Sequence, residues 1–322
     1  MTPDPRTLDS ETTAVAKPAT KPKATARQRK RHKQNVMLVT PQLIIYLALI
    51  LIPLVVALPL LFTDMTTIRD TSVNYIGFDN FTRLFTDPGI AGDYWAGFFK
   101  TVRFTILNYA GVFIFGLTLA LLMYEVGFRG GLFTMIYLPW MISGLALGFM
   151  ALMLFSESTG SVNLLLKNLG LIDTGFNIKS ETGTTIVLPI VISWKAAGFN
   201  MAIFLAGLLS IPKDTIEAAI VDGASYRQRL GHVYFPQMVP SFVIATIFAL
   251  LGSFSVFDEL IAMGGLNQND AAEFLSILFF RWGFTQNKLA LAMALSVMTF
   301  IPLTIIAIGL QWYQRRATSY QS

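Results

Sequence analysis

The chain has 322 residues, 54% of them hydrophobic and only 13% charged, with a formal net charge of +5. Soluble domains carry about 25% charged residues, and the apolar residues here fall in long uncharged blocks, which excludes an ordinary water-soluble core. With no cysteine and only two histidines, His32 and His232, both outside those blocks, disulfides, thiolate metal clusters, a cysteine nucleophile and intramembrane bis-histidine haem ligation are excluded as well.

Residues 1–35 hold nine of the 24 Lys and Arg: Arg6, Lys17, Lys21, Lys23, Arg27, Arg29, Lys30, Arg31 and Lys33. The stretch is rich in Thr, Pro, Ala and Lys and has no apolar periodicity, so it reads as a disordered basic tail. It leads straight into an apolar run, which points to orienting a membrane helix rather than to nucleic acid. The charged part and the apolar run are both too long for a signal peptide.

Uncharged runs near the roughly 20 residues needed to cross a bilayer follow at Val36–Phe62, Phe104–Tyr124, Gly130–Ser156, Val233–Phe257 and Leu289–Gln314. A further run, Thr182–Pro212, is broken once, by Lys195. The expected fold is therefore all-α and integral to the membrane, with six transmembrane helices. Pro53, Pro59, Pro139, Pro189 and Pro302 lie within the runs, which suits a packed bundle whose neighbours satisfy the freed carbonyls. Six spans place both termini on one side. The eight basic residues Lys17–Lys33 before the first span make that side cytoplasmic. Segments 63–103, 157–181 and 258–288 then face outward, the first two with short amphipathic patterns. The expected organisation is a basic tail at 1–35, a six-helix domain at 36–316 and a short cytoplasmic tail at 317–322.

The inward segment 210–232 departs from this pattern. Pro212 suits a first helical turn, and Asp214 and Glu217 suit its positive end. Ile216, Ala219 and Ile220 share a face, Gly223 permits a sharp bend, and a second polar helix leads to Pro236. A small helix–bend–helix of this kind can seat in a groove of a partner.

This segment resembles the EAA loop of binding-protein-dependent ABC importer permeases: Glu217-Ala218-Ala219 is followed at matching spacing by Gly223, Val233 and Phe235-Pro236. The extension Asp222-Gly223-Ala224 resembles the carbohydrate-uptake branch. So do Ile76-Gly77-Phe78-Asp79-Asn80-Phe81, Leu138-Pro139-Trp140, Gly160-Ser161-Val162-Asn163, Gly198-Phe199-Asn200-Met201 and Phe204-Leu205-Ala206-Gly207-Leu208. The Asp79-Asn80-Phe81 element is similar to the maltose-transporter F-type subunit. Val233 and Phe235 replace the usual isoleucine and leucine, and Met263-Gly264-Gly265-Leu266 departs from the usual Thr-x-Gly-Gly-Pro.

The resemblance implies a non-catalytic permease in a bacterial inner membrane, with 210–232 as a cytoplasmic coupling helix between helices 4 and 5. On that reading Glu217, Ala218, Ala219, Asp222, Gly223, Ala224 and Pro236 engage a separate ATPase. No phosphate-cradling G-x-x-x-x-G-K-[ST] sequence occurs in the chain, so ATP and Mg would sit on that ATPase and this chain would bind no cofactor and no catalytic metal. The implied partners are a homodimer of ATPase subunits, a second six-helix permease subunit of G type, an extracytoplasmic sugar-binding protein and membrane lipid.

For the path itself, Lys195 is the one charge deep in an apolar run, too deep to reach the interface fully. It should face the bundle interior, against substrate, a gating carboxylate or a carbonyl. Trp194, Phe199 and Asn200 accompany it, and Ser253, Phe257 and Asp258 close the fifth run. Aromatic faces and amides are the groups that hold sugars, and the resemblance implies Phe199 and Ser253 in particular. Asp258 and Glu259 point about 100° apart on a helix and read as a helix-end pair, leaving the span interiors without carboxylates. That counts against an ion-coupled carrier. A permease for another solute, such as glycerol phosphate, stays open.

Overall fold

In the computed structural model the described residues are 26–127, 130–267 and 269–319. Among them five helices are long and apolar enough to cross a membrane, and one bent pair of helices could supply a further crossing. Two units are resolved, Met1–Leu58 and Pro59–Ser322.

The first long helix, α1 (Asn35–Phe62), extends backward as helix to Ala26. The tail read as disordered is therefore helical from Ala26 to its end, because Ala, Arg, Gln and Lys are good helix formers beside an apolar helix. Residues 1–25 lie outside the described part.

After Phe62 the chain forms a turn in which Asp70 accepts from the amides and hydroxyls of Thr66 and Thr67. These bonds, led by those from Thr67, hold its carboxyl well below the usual carboxylate range. The amphipathic pattern next in line is α2 (Asp79–Thr86). Its Asn80 is buried and donates to the carbonyls of Leu61 (2.9 Å) and Thr63 (2.8 Å), which explains the Asp-Asn-Phe element physically.

Helix α3 (Pro88–Val126) spans 39 residues, about 58 Å at 1.5 Å per residue. Asp87 caps it by accepting from Gly89 and Ile90, Pro88 opens its first turn, and Gly127 at φ 70° ends it. It starts sixteen residues before the uncharged run because Lys100 and Arg103 are accommodated rather than disruptive. Lys100 donates to the Asp270 carbonyl and Arg103 to Glu181 (3.2 Å).

The run Gly130–Ser156 is not one straight helix. It forms α4 (Gly130–Met141) and α5 (Gly144–Leu154), bent by 92°. Pro139 tightens the last turn of α4, Ile142 is extended, and Ser143 caps α5 by accepting from Ala146. Next comes α6 (Ser161–Asn168), where the fully buried Asn163 bonds Ser156 and Phe176. The motif Gly-Ser-Val-Asn thus ties a surface loop together.

Helix α7 (Glu181–Leu209) packs along α3 and continues through α8 (Lys213–Val221) to α9 (Val239–Phe254) and α10 (Asp258–Ala262). The last two, with the three residues between them, form one apolar stretch, Val239–Ala262. Asp258 and Glu259 therefore fall in the last part of this apolar stretch, past the end of the uncharged run at Phe257. Helices α11 (Leu275–Thr285) and α12 (Leu289–Ser319) complete the chain; the expected tail is helical to Ser319.

Among the described residues four apolar clusters bind the second unit, centred on Leu84 and Trp282, on Phe104 and Leu260, on Phe204 and Met238, and on Val112, Ala196 and Ala249. Close approach of α5 to α10 depends on small residues four apart, Gly144 and Gly148, as in membrane helix pairs generally. A Cβ on Gly148 would lie 2.6 Å from the Ala262 Cβ and 2.9 Å from the Glu259 carbonyl. Gly148→Leu should therefore force the helices apart and cost about 1–3 kcal/mol. A lower thermal midpoint of the purified protein in detergent, larger than for Gly148→Ala, is the expected result; an unchanged midpoint would contradict this packing.

Candidate functional site

A cleft of about 430 Å³ opens between α3, α7 and α9–α10. Helix α7 contributes Ile192, Lys195, Ala196, Phe199 and Asn200, the three-and-four spacing of one helical face. Asn108 and Val112 come from α3, one turn apart. Phe248, Gly252, Ser255 and Glu259 follow the same face along α9 and α10, and the tightened turn of α4 supplies Trp140. Trp140 and Phe199 stack with ring centres 4.7 Å apart, and Phe248 meets Phe199 edge-on at 5.3 Å.

Lys195 does face the interior. Its partner is the Glu259 carboxylate, at 3.4 Å, with side chains only 15% and 10% exposed respectively. A carboxylate near the end of the Val239–Ala262 stretch thus reaches the lysine. Adjacent positions on a helix diverge, so Glu259 turns inward while Asp258 stays exposed.

Two buried amides line the cleft. Asn200 donates to the Ala196 carbonyl at 2.9 Å; a carbonyl only accepts, so the amide orientation is fixed and Oδ1 is left without a partner. Ser253 donates to the Ala249 carbonyl and so accepts from Asn108 (2.9 Å), leaving Asn108 Oδ1 in the same condition. Ser253 is buried behind the cleft and orients Asn108 rather than lining the space itself.

Three other expected residues lie elsewhere. Trp194 faces away from the cleft into an apolar groove with Phe115, Leu147 and Met150. Phe257 borders a separate apolar pocket and meets Phe280 at 5.4 Å. Asp258 occupies the exposed first turn of α10. Asn108, Trp140, Phe248 and Glu259 also line the cleft, although the sequence marks Trp140 only as a family element, Glu259 only as half of a helix-end pair, and the other two not at all. The period of α7 and the need of Lys195 for a counter-ion were the available signals.

The helix–bend–helix of 210–232 is formed. Gly223, at φ 79°, ends α8. Its amide donates to the Ile220 carbonyl (3.0 Å) and the Ala224 amide to the Ala219 carbonyl (2.9 Å). This is the C-terminal motif in which glycine takes the left-handed position. Ser225 then caps the one-turn helix Tyr226–Arg229 through a capping box with Gln228. Ile216 packs against the cluster around Tyr234, and Ala219 is half-buried, whereas Ile220 is 51% and Val221 86% exposed. The shared face is thus split, with Ile216 packed on the bundle and Ile220 exposed. Glu217 lies mid-helix rather than in the first turn, exposed beside Ala218. Asp222 is exposed at the helix end, Ala224 is half-buried beyond it, and Pro236 opens the short helix Phe235–Gln237.

Residues 112–319, which contain most of the cleft and all of this elbow, match the family of binding-protein-dependent transport system inner membrane components. The chain belongs to this family. Among its relatives, the probable starch degradation products transport system permease protein AmyD of Thermoanaerobacterium thermosulfurigenes is 28% identical over 273 residues, 84% of this chain and 90% of that one. The fold is similar to that of a bacterial ABC transporter involved in import of the acidic polysaccharide alginate, with a TM-score of 0.74 and 25% identity over 90% of this chain and 98% of the other. A bacterial alginate ABC transporter in complex with a periplasmic protein bound to alginate pentasaccharide gives 0.75, with 25% identity over 91% and 97%. As a member of the binding-protein-dependent family, the chain is an inner-membrane permease subunit of an ABC importer, a transport component rather than an enzyme.

Proposed function

We propose that this permease carries carbohydrate, with the cleft as its half of the path and α8 as the handle worked by a separate ATPase. The observation that carries the reading is the cleft. Stacked Trp140 and Phe199 offer apolar faces for sugar C–H groups, beside the amide side chains of Asn108 and Asn200 in the cleft wall. The starch-product relative and the alginate transporters support the same substrate class.

On this reading α8 lies in the cytoplasm with both termini, and a second permease subunit of G type completes the path. Two ATPase copies hold ATP and Mg, and an extracytoplasmic sugar-binding protein delivers the cargo. The exposed Glu217, Ala218, Ile220 and Val221 form the docking face, while Ile216 anchors the helix to the bundle. Asp222, Gly223, Ala224 and Pro236 shape the elbow. Closure of the ATPase pair pulls it, and the bundle alternates between outward and inward access.

Trp140→Ala should raise the KM for sugar uptake about tenfold, the loss of one stacking contact worth about 1.4 kcal/mol. ATPase co-purification should be unchanged. Uptake by the assembled transporter in proteoliposomes measures this, and wild-type kinetics in the variant would remove the cleft from the path.

A further inference from the structure

We infer that Glu259 is a specificity-determining residue: by neutralising Lys195 it makes this cleft a site for uncharged carbohydrate. This rests on the carbohydrate reading above and names the substrate class within it.

Lys195 and Glu259 are the two charged residues among those lining the cleft, and they are bound to each other. Both are largely buried, so solvent screens them little and their charges cancel locally rather than being spread into water. A carboxylated sugar could use Lys195 only by displacing Glu259. Glu259 is poorly placed to move, since a Cβ on Gly144 would fall 2.8 Å from its Oε1; it lies directly against the backbone of α5. Nor would a displaced carboxylate meet Arg281, which is already held by Glu273 and Asp93. Leaving a buried carboxylate without a cation is strongly unfavourable.

The remaining polar atoms point the same way. The unpartnered groups of Asn108 and Asn200 are carbonyl oxygens. Enclosed in the cleft wall, these oxygens do not touch a ligand, but their partial negative charge opposes a carboxylate in the cleft. Two independent features, a cancelled cation and the partial negative charge of two enclosed amide oxygens, therefore disfavour anions in the cleft. The related alginate transporter imports an acidic polysaccharide on the same fold, so the difference would lie in the side chains of the cleft.

The test uses the assembled transporter purified without its binding protein, whose own selectivity would otherwise dominate. Retention of radiolabelled maltopentaose is measured by equilibrium dialysis against unlabelled maltopentaose or a galacturonate pentamer. For the wild type, the neutral competitor should displace the label and the uronate should not. In Glu259→Gln the freed Lys195 should make the uronate a competitor, lowering its half-displacing concentration at least about tenfold. The double variant Lys195→Gln/Glu259→Gln should lose that competition while eluting as an intact assembly on size exclusion, which assigns the uronate's entry to the freed charge of Lys195 rather than to misfolding. Equal displacement by both sugars in the wild type, or a Glu259→Gln profile identical to wild type, would overturn the inference. Failure of the wild type to retain maltopentaose would overturn the carbohydrate reading itself.

Discussion

Glu217→Lys should leave the bundle inserted and folded yet cut uptake by about 100-fold or more, with loss of the ATPase on co-purification. Glu217 is exposed in the middle of α8, whose ends are fixed independently by Ile216 and by the Gly223 bend. A substitution at such a surface position changes folding by only about 0.5 kcal/mol. Docking is another matter, because reversing a charge on a recognition face opposes like charges at several kcal/mol. The demand on this contact is high: driving a two-state bundle from 1:99 to 99:1 takes about 5.5 kcal/mol of differential binding. Membrane abundance, ATPase retention and uptake should be measured on the same preparation. Near-normal uptake in Glu217→Lys would end the coupling role assigned to α8.

The largest effect on stability is expected at Arg281. Its guanidinium is 14% exposed and joins Glu273, itself 11% exposed, and Asp93, at 3.3 Å. Asp93 is 46% exposed, so its share is small once water screens it. Arg281→Met would strand Glu273, a buried carboxylate, and should destabilise the protein by about 3–5 kcal/mol. The expected readout is a sharply lowered thermal midpoint and poor membrane yield. Adding Glu273→Gln should restore most of the loss, since removing both charges leaves nothing uncompensated. If the single variant were as stable as the wild type, the triad would contribute nothing to holding α11 against α3.

The resemblance at the elbow shows how a local motif can be read from sequence. The Glu-Ala-Ala run proved nothing alone, but Gly223 six residues after Glu217 has a backbone reason, the left-handed residue that closes α8. Asn80 and Asn163 were legible only as family elements, and the structure supplies their work, bonding carbonyls and an amide in neighbouring loops. The third apolar run misled because hydropathy carries no direction: Ile142 and Ser143 turn the chain by 92° without any charge to mark it. Lys100 and Arg103 misled in the opposite sense, ending an uncharged run without ending its helix.

Composition and period therefore determined that this chain is a bundle of membrane helices, that Lys195 faces inward, and that a small elbow follows α7. These properties depend on single segments, where hydropathy and turn chemistry act locally. Which residues share the cleft was decided only by tertiary packing. Trp194 and Lys195 are neighbours in the chain and face different cavities around α7, while Lys195 and Glu259 are 64 positions apart and meet at 3.4 Å. The reason is geometric: a counter-ion is chosen by how α5, α7 and α10 approach one another, and that distance is set by Gly144 and Gly148 on a helix that carries no charge.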